Sequence, residues 1–221
     1  MEMLQPDISK WRTLCDSLRL TPPFDYAVAD DFLPDSDART LRDSLISSSG
    51  WTYREIPRNL SGKPWVAKQH FLNTNNVPTV NHLCQTLIQI LSKQGISRVA
   101  NSWAIISKQV DDYFPHCDGG SLSLNYWLSP LPRGDAGSLG GMVLYDVKRP
   151  DAMQADEYSS ELGGCVRYVF SRTQGKRISI PFRFNRAVLF DARTFHSTDI
   201  FNLSSNVAKD SARMNLTITF D

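Results

Sequence analysis

The sequence predicts a mainly β protein with flanking helices, an α+β arrangement, and three observations carry that prediction. From residue 99 onward, short extended runs alternate with turn residues at roughly 99–109, 121–129, 141–147, 165–171, 177–181, 186–191 and 212–220. Many short strands with such punctuation point to a sandwich, a barrel or a jelly roll. Residues 1–95 instead alternate helical and extended signals, which reads as a flank to a β core at 96–221 within one domain. The third observation is an amphipathic helix just before the change, whose apolar face needs a surface to cover.

The N-terminal elements follow from local chemistry. Residues 5–20 are weakly helical, with Asp7 or Ser9 as N-cap. Phe24–Leu33 reads as a strand, and Leu33-Pro34-Asp35 opens a helix that stops at Ser47-Ser48-Ser49-Gly50. Two β-rich runs, WTYREI and WVAKQHFL, flank a polar turn containing Asn59, Ser61 and Gly62. Pro78 suits the first position of the next helix. Its residues Val80, Leu83, Cys84, Leu87, Ile90 and Leu91 share one face, and Gly95 ends it.

Two later strands have informative polarity. Arg213, Asn215, Thr217 and Thr219 share one face of the last strand, opposite Met214, Leu216, Ile218 and Phe220. Ser121, Ser123, Asn125 and Trp127 likewise oppose Leu122, Leu124, Tyr126 and Leu128. The apolar faces suit packing under the N-terminal helices. The polar faces suit either water or, in a jelly roll, an interior pocket. Between strands, residues 148–164 read as an exposed, charged excursion.

Bulk properties narrow the function. Lys plus Arg number 24 against 23 Asp plus Glu, so the net charge of +1 gives no drive toward nucleic acid or anionic lipid. No run approaches the length of a membrane span, and the N-terminus lacks a signal-peptide pattern. Cys15, Cys84, Cys117 and Cys165 are scattered and read as free thiols. The expectation is a soluble cytoplasmic protein.

The chemistry-bearing segment is Phe114-Pro115-His116-Cys117-Asp118-Gly119-Gly120, just before a strand. In extended backbone, side chains two apart project to the same side, so His116 and Asp118 can converge on one ion while Cys117 points away. Two neutral imidazoles and one carboxylate on one face of an octahedron leave three positions open, the arrangement of non-haem iron(II) oxygenases. His196, after an apolar run, is the available second imidazole. The remaining histidines, His70 and His82, read as structural or surface residues.

His116-x-Asp118, then His196, then Arg213 in the last strand resembles the HxD…H…R signature of the iron(II)/2-oxoglutarate-dependent oxygenases. Supporting segments are similar to their prolyl-hydroxylase-like branch: ADDFLPDSDARTLRDSL, NYWLSP, GGMVLYD and RAVLFDARTFHST. The resemblance spans nearly the whole chain, most firmly 105–221. It implies a double-stranded β-helix (jelly-roll) core with the N-terminal helices packed on the outer face of one sheet. It also implies a metal site of His116, Asp118 and His196.

The resemblance further implies that Arg213 holds the distal carboxylate of 2-oxoglutarate in a two-point contact, which lysine reproduces less well. Asn215 assists it, with Thr198, Ser123 and Asn125 as lesser pocket residues. Tyr113, Trp127 and Arg193 are candidates for substrate contact. The implied reaction consumes dioxygen and 2-oxoglutarate, releases succinate and CO2, and oxidises an unactivated C–H bond, with ascorbate as an auxiliary reductant. Asp118 separates the chain from the halogenating branch, where a small residue replaces the carboxylate. The Arg213-Met214-Asn215-Leu216-Thr217 run is similar to the nucleic-acid dealkylating branch, but that branch carries a second arginine where this chain has Thr219.

A small molecule, either a free amino acid or a natural-product intermediate, is the expected substrate because the chain is compact and ends at the last core strand. The alternatives are a protein or peptide side chain, with prolyl-type hydroxylation, or a metal-free binding module. Arg149, Arg167 and Arg172 in the segment 148–176 are placed to recognise a substrate carboxylate.

Overall fold

A computed structural model describes residues 8–17, 23–58, 65–110, 115–130, 140–158, 164–203, 208 and 211–221. Its N-terminal helices form where apolar side chains recur every three or four residues. Helix α1 (Ile8–Ser17) buries Trp11, Leu14 and Cys15. Helix α2 (Asp35–Ser47) follows Pro34 as N-cap, carries Asp35 and Asp37 in its first turn, and buries Ala38, Leu41 and Leu45. Acidic residues there complement the positive end of the helix dipole. Helix α3 (Pro78–Leu91) buries Val80, Leu83, Cys84, Leu87 and Leu91, and a short 3-10 turn then stops at Gly95, whose φ is 84°.

Among the described residues there are twelve strands, beginning with β1 (Tyr26–Ala29), β2 (Thr52–Arg58), β3 (Trp65–Asn73), β4 (Val99–Ser107), β5 (Gln109–Val110) and β6 (Leu122–Trp127). The rest are β7 (Met142–Lys148), β8 (Arg177–Ile180), β9 (Arg186–Asp191), β10 (Thr194–Thr198), β11 (Phe201–Asn202) and β12 (Arg213–Phe220). They build a seven-stranded sheet in the order β1-β9-β6-β12-β4-β3-β2 and a three-stranded sheet in the order β10-β7-β8, with β11 and β5 paired separately. The pairings are antiparallel throughout.

Leu124, Tyr126, Leu216, Ile218 and Phe220 on the large sheet join the buried faces of α1, α2 and α3 in one core. The expected packing of N-terminal helices on the outer face of one sheet is therefore present. Between the sheets, Trp127, Val188 and Phe190 meet Met142, Leu144, Ile180 and Phe182 in a second core. This double-sheet arrangement is the jelly roll.

The structure differs from expectation in several elements. Residues 165–171 form not a strand but most of α5 (Gly164–Arg172). Cys165 and Val169, one helical turn apart, are buried with Val143, Tyr145, Val147 and Phe195 on the outer face of the small sheet. The segment 148–164 is also less exposed than expected: α4 (Ala155–Tyr158) lies in it, and Met153 and Tyr158 pack against that same core. The first predicted strand is confined to Tyr26–Ala29. His196 has its own strand, β10, rather than following one. The polar turn at Asn59, Ser61 and Gly62 lies outside the described residues.

Candidate active site

The last strand decides which face of the large sheet is chemical. All eight residues of β12 are buried, including Arg213, Asn215, Thr217 and Thr219. Their face is therefore the inside of the jelly roll and not a wet surface. Direct antiparallel partners share a face. Trp127, Asn125 and Ser123 on β6 thus line the interior opposite Asn215, Thr217 and Thr219. Phe190 pairs with Ser123 and continues that row on β9.

The metal-ligand candidates meet at the Ser123–Phe190 row. One donor atom from each of His116, Asp118 and His196 lies within 4.8 Å of the others. The imidazole centroids are 4.4 Å apart, and Asp118 Oδ2 is 3.6 Å from His196 Nε2. Ser123 Oγ donates to Asp118 Oδ2 at 2.5 Å. His196 Nδ1 donates to the Thr194 carbonyl at 3.0 Å, which leaves Nε2 as the free lone pair on the side of Asp118. The ring of Phe190, 4.8 Å away, backs the imidazole.

Backbone contacts aim the HxD segment. Asp118 N–H donates to the Ala192 carbonyl at 3.2 Å, and Cys117 N–H to the Tyr158 carbonyl at 3.1 Å. Cys117 points away from the cluster, as its odd register requires, and its thiol meets the Arg193 carbonyl at 3.1 Å. Gly120, with φ at 87°, lets the chain turn into β6: a Cβ there would lie 2.6 Å from the Phe220 carbonyl oxygen.

Deeper in the same interior sits Arg213, 3% exposed. Its Nε donates to the Gly140 carbonyl, and Nη1 donates to Asn215 Oδ1 at 2.8 Å. Asn215 Nδ2 passes the chain on to Thr217 Oγ1 at 3.2 Å. Burial pushes the guanidinium down to about 9, so it is a cation at neutral pH. A buried guanidinium, planar and fixed by two acceptors, suits a carboxylate. Two further interior atoms, Asn125 Oδ1 and Trp127 Nε1, are buried without a hydrogen-bond partner among the described residues.

The other sequence candidates separate. Thr198 is half-buried on β10, two residues beyond His196 and on its face. Arg193 is turned toward Asp191, at 3.0 Å, and Asp151, at 3.5 Å, rather than toward the cluster. Arg149 lies over the Tyr158 ring, Arg172 over the Tyr168 ring, and Arg167 is exposed on α5. His70 packs against Tyr53, and His82 is half-buried on α3. Tyr113 lies outside the described residues. Thr194 and Gly140 were not foreseen, because both act through carbonyls that every residue possesses.

No protein-family model matches the sequence, and no curated protein matches it. Solved structures do. The epimerase SnoN, in complex with Fe3+, alpha ketoglutarate and nogalamycin RO, gives a TM-score of 0.60 at 16% identity, over 97% of this chain and 84% of that one. The non-heme alpha ketoglutarate dependent carbocyclase SnoK from nogalamycin biosynthesis gives 0.63 at 15%, over 93% and 82%. A prolyl-4-hydroxylase from Pseudomonas putida gives 0.56 at 11%, over 95% and 97%. The chain has, in short, the jelly-roll fold found in the 2-oxoglutarate-dependent non-haem iron oxygenases.

Proposed function

We propose that the protein is an iron(II)- and 2-oxoglutarate-dependent dioxygenase that hydroxylates an unactivated C–H bond of a small molecule. The observation that carries this reading is the His116–Asp118–His196 cluster, with Asp118 and His196 buried and His116 half-buried, sharing one interior with the buried cation Arg213. The donor set fits iron(II): two imidazoles and a carboxylate from one side, with the remaining directions open to cosubstrate and dioxygen. Iron, when bound, supplies the redox chemistry that couples oxidative decarboxylation of 2-oxoglutarate, to succinate and CO2, with attack on the C–H bond.

The chain's own residues bind, orient and exclude water. Ser123 and Thr194 fix the ligand orientations. Arg213, with Asn215, receives the distal carboxylate. Phe182, whose ring lies 5.6 Å from the guanidinium carbon, walls that end off from solvent. Natural-product intermediates lead among the substrates, since SnoN and SnoK share the fold, followed by free amino acids. Ascorbate serves as reductant for the iron. The four cysteines are free thiols, and no described helix is long and apolar enough to cross a membrane. Both are compatible with the cytoplasmic location we propose.

Anaerobic addition of iron(II) and 2-oxoglutarate to the purified protein should give the weak visible charge-transfer band of the chelate. His116→Ala should abolish it. Aerobic assays with natural-product intermediates, amino acids and prolyl peptides should then reveal the class that raises succinate formation above the uncoupled rate. Label from 18O2 in the product identifies hydroxylation. Absence of the band, with iron affinity unchanged in His116→Ala, makes the protein a metal-free binding module.

A further inference from the structure

The net charge of +1 averages over an uneven distribution. Between Glu161 and Asp191 the chain carries no acidic residue but six basic ones: Arg167, Arg172, Lys176, Arg177, Arg183 and Arg186. The last two are spent on Asp30 and Asp31. The other four are exposed, and none of them forms an ion pair among the described residues. The nearby carboxylate of Asp146 is already taken by the Thr173 hydroxyl and by Gln174 N–H at 3.0 Å.

The fold gathers these cations on one side of the molecule. Helix α5 lies across the outer face of the small sheet, with Cys165 and Val169 turned inward onto it. On one flank, Tyr168 is 5.5 Å from Phe195 of β10, and the Arg172 guanidinium carbon lies 3.8 Å over the Tyr168 ring. On the other flank, the Phe170 ring meets Tyr145 of β7 at 6.3 Å. Tyr145 stands directly opposite Arg177 of β8, and direct partners share a face, so Arg177 lies on that outer side too. Arg167, three residues before Phe170, adjoins it on the helix surface. Phe170 is 58% exposed. The outermost layer thus carries an aromatic knob flanked by cations.

We propose that α5 and the start of β8 dock the protein onto an anionic lipid surface, with Phe170 entering the interface and Arg167, Arg172, Lys176 and Arg177 meeting the headgroups. The composition is that of an interfacial element, in which cations hold the headgroup level and an aromatic ring reaches the acyl boundary. A projecting ring suits a deformable surface, whereas a protein partner must present a hole of matching shape. Four cations near an anionic leaflet add their attractions, which gives reversible attachment and not insertion. Tyr145 bonds Ser197 on this outer side at 3.2 Å, while His196 faces the interior, so docking here leaves the metal cluster uncovered. Segregation of charge thus supplies the drive toward anionic lipid that the net charge does not. The proposal is independent of the proposed function.

Co-sedimentation with lipid vesicles tests it. The wild type should bind phosphatidylcholine vesicles that contain about one-third phosphatidylserine, should not bind phosphatidylcholine alone, and should be released by about 1 M salt. The double variant Arg167→Gln/Arg177→Gln should weaken binding about thirtyfold, at about fivefold for each cation. Phe170→Ser should weaken it as well. Arg12→Gln/Lys93→Gln removes the same charge from exposed positions in the helix layer over the large sheet, and should bind as the wild type does. Circular dichroism checks that each variant is folded; if a patch variant is not, the lipid and salt dependence of the wild type decides with the Arg12/Lys93 control. A wild type that ignores phosphatidylserine overturns the proposal, and so does a control that loses as much binding as the patch variant. Binding to a duplex DNA probe without binding to vesicles also overturns it, and assigns the patch to nucleic acid. None of these outcomes touches the proposed function, because no step reads iron or 2-oxoglutarate.

Discussion

His116 and His196 exchange both of their main-chain hydrogen bonds, N–H to carbonyl at 2.9 Å in each direction, in an isolated antiparallel bridge. Residues paired this way project their side chains to the same side. The bridge thus faces the two imidazoles toward one point without help from the side chains themselves. Asp118, two residues along, shares that side.

Because backbone and not side-chain contacts make this clamp, removing an imidazole should leave the fold intact. We expect His116→Ala and His196→Ala to keep the wild-type far-ultraviolet circular dichroism and thermal midpoint within a few degrees. Both should lose tight iron(II) binding in anaerobic titration. A variant that unfolds would show that the imidazoles hold the bridge, and one that keeps wild-type iron affinity would remove its histidine from the ligand set.

Ser123 acts through Asp118. Its hydroxyl, 2.5 Å from Oδ2, restricts the rotation of the carboxylate. Partners of this kind change metal affinity by about 10- to 100-fold. Ser123→Ala should therefore weaken iron(II) in a chelator competition by about tenfold, while Ser123→Thr keeps most of the affinity. Affinity for 2-oxoglutarate relative to 2-oxopentanoate should stay as in the wild type, since Arg213 is untouched. Equal iron affinity in wild type and Ser123→Ala would leave the hydroxyl a purely structural role.

The candidate ligands His116 and Asp118, like Arg213, were legible because they rest on period two: His116/Asp118 and Arg213/Asn215/Thr217 each place polar groups on one side of an extended chain. The burial of that side was not legible, since alternation is the same whether the polar face meets water or a pocket. Residues 165–171 misled for a related reason. Val166, Tyr168 and Phe170 alternate as a strand would, while Cys165 and Val169 repeat as a helix would. Covering the outer face of the small sheet settles the choice, and that is a tertiary effect. Trp127 was visible as a pocket residue, but only the register places it directly opposite Asn215.

Gly141 is tied to the Arg213 end of the site through its neighbour. A Cβ at Gly141 would lie 2.0 Å from the Ile180 carbonyl oxygen and 2.9 Å from Phe182 N, both backbone atoms that cannot swing aside. Gly140 supplies the carbonyl that accepts from Arg213 Nε. Gly141→Ala should destabilise the protein by about 3 kcal/mol or more, the scale of an unrelieved core overlap. Any folded fraction should bind 2-oxoglutarate more weakly, because β7 and β8 must separate and carry the Gly140 carbonyl with them. Thermal unfolding and calorimetry measure the two effects, and a wild-type midpoint in this variant would contradict the close approach.

Asp30, just after β1, accepts from Arg186 Nε at 2.5 Å and Nη2 at 2.9 Å, and from Arg183 Nη1 at 2.8 Å. These contacts fasten the entry into the N-terminal helices to the start of β9. The hydrogen bond from Arg186 is the foremost cause holding the Asp30 carboxyl below its ordinary value of 3.8. A carboxyl lowered on folding stabilises the fold at pH above its ordinary value, and that stabilisation is lost as pH falls through the lowered one. Asp30→Asn should therefore lower the thermal midpoint by about 2–4 °C at neutral pH, the response of a chain this long to about 1 kcal/mol. The gap from wild type should close in acid, as pH falls below 3.8 and through the lowered value at which the wild-type carboxyl takes up its proton. Calorimetric scans at neutral pH and through that acid range test it, and a gap that persists undiminished in acid would mean that shape, not charge, makes the Asp30–Arg186 contact matter.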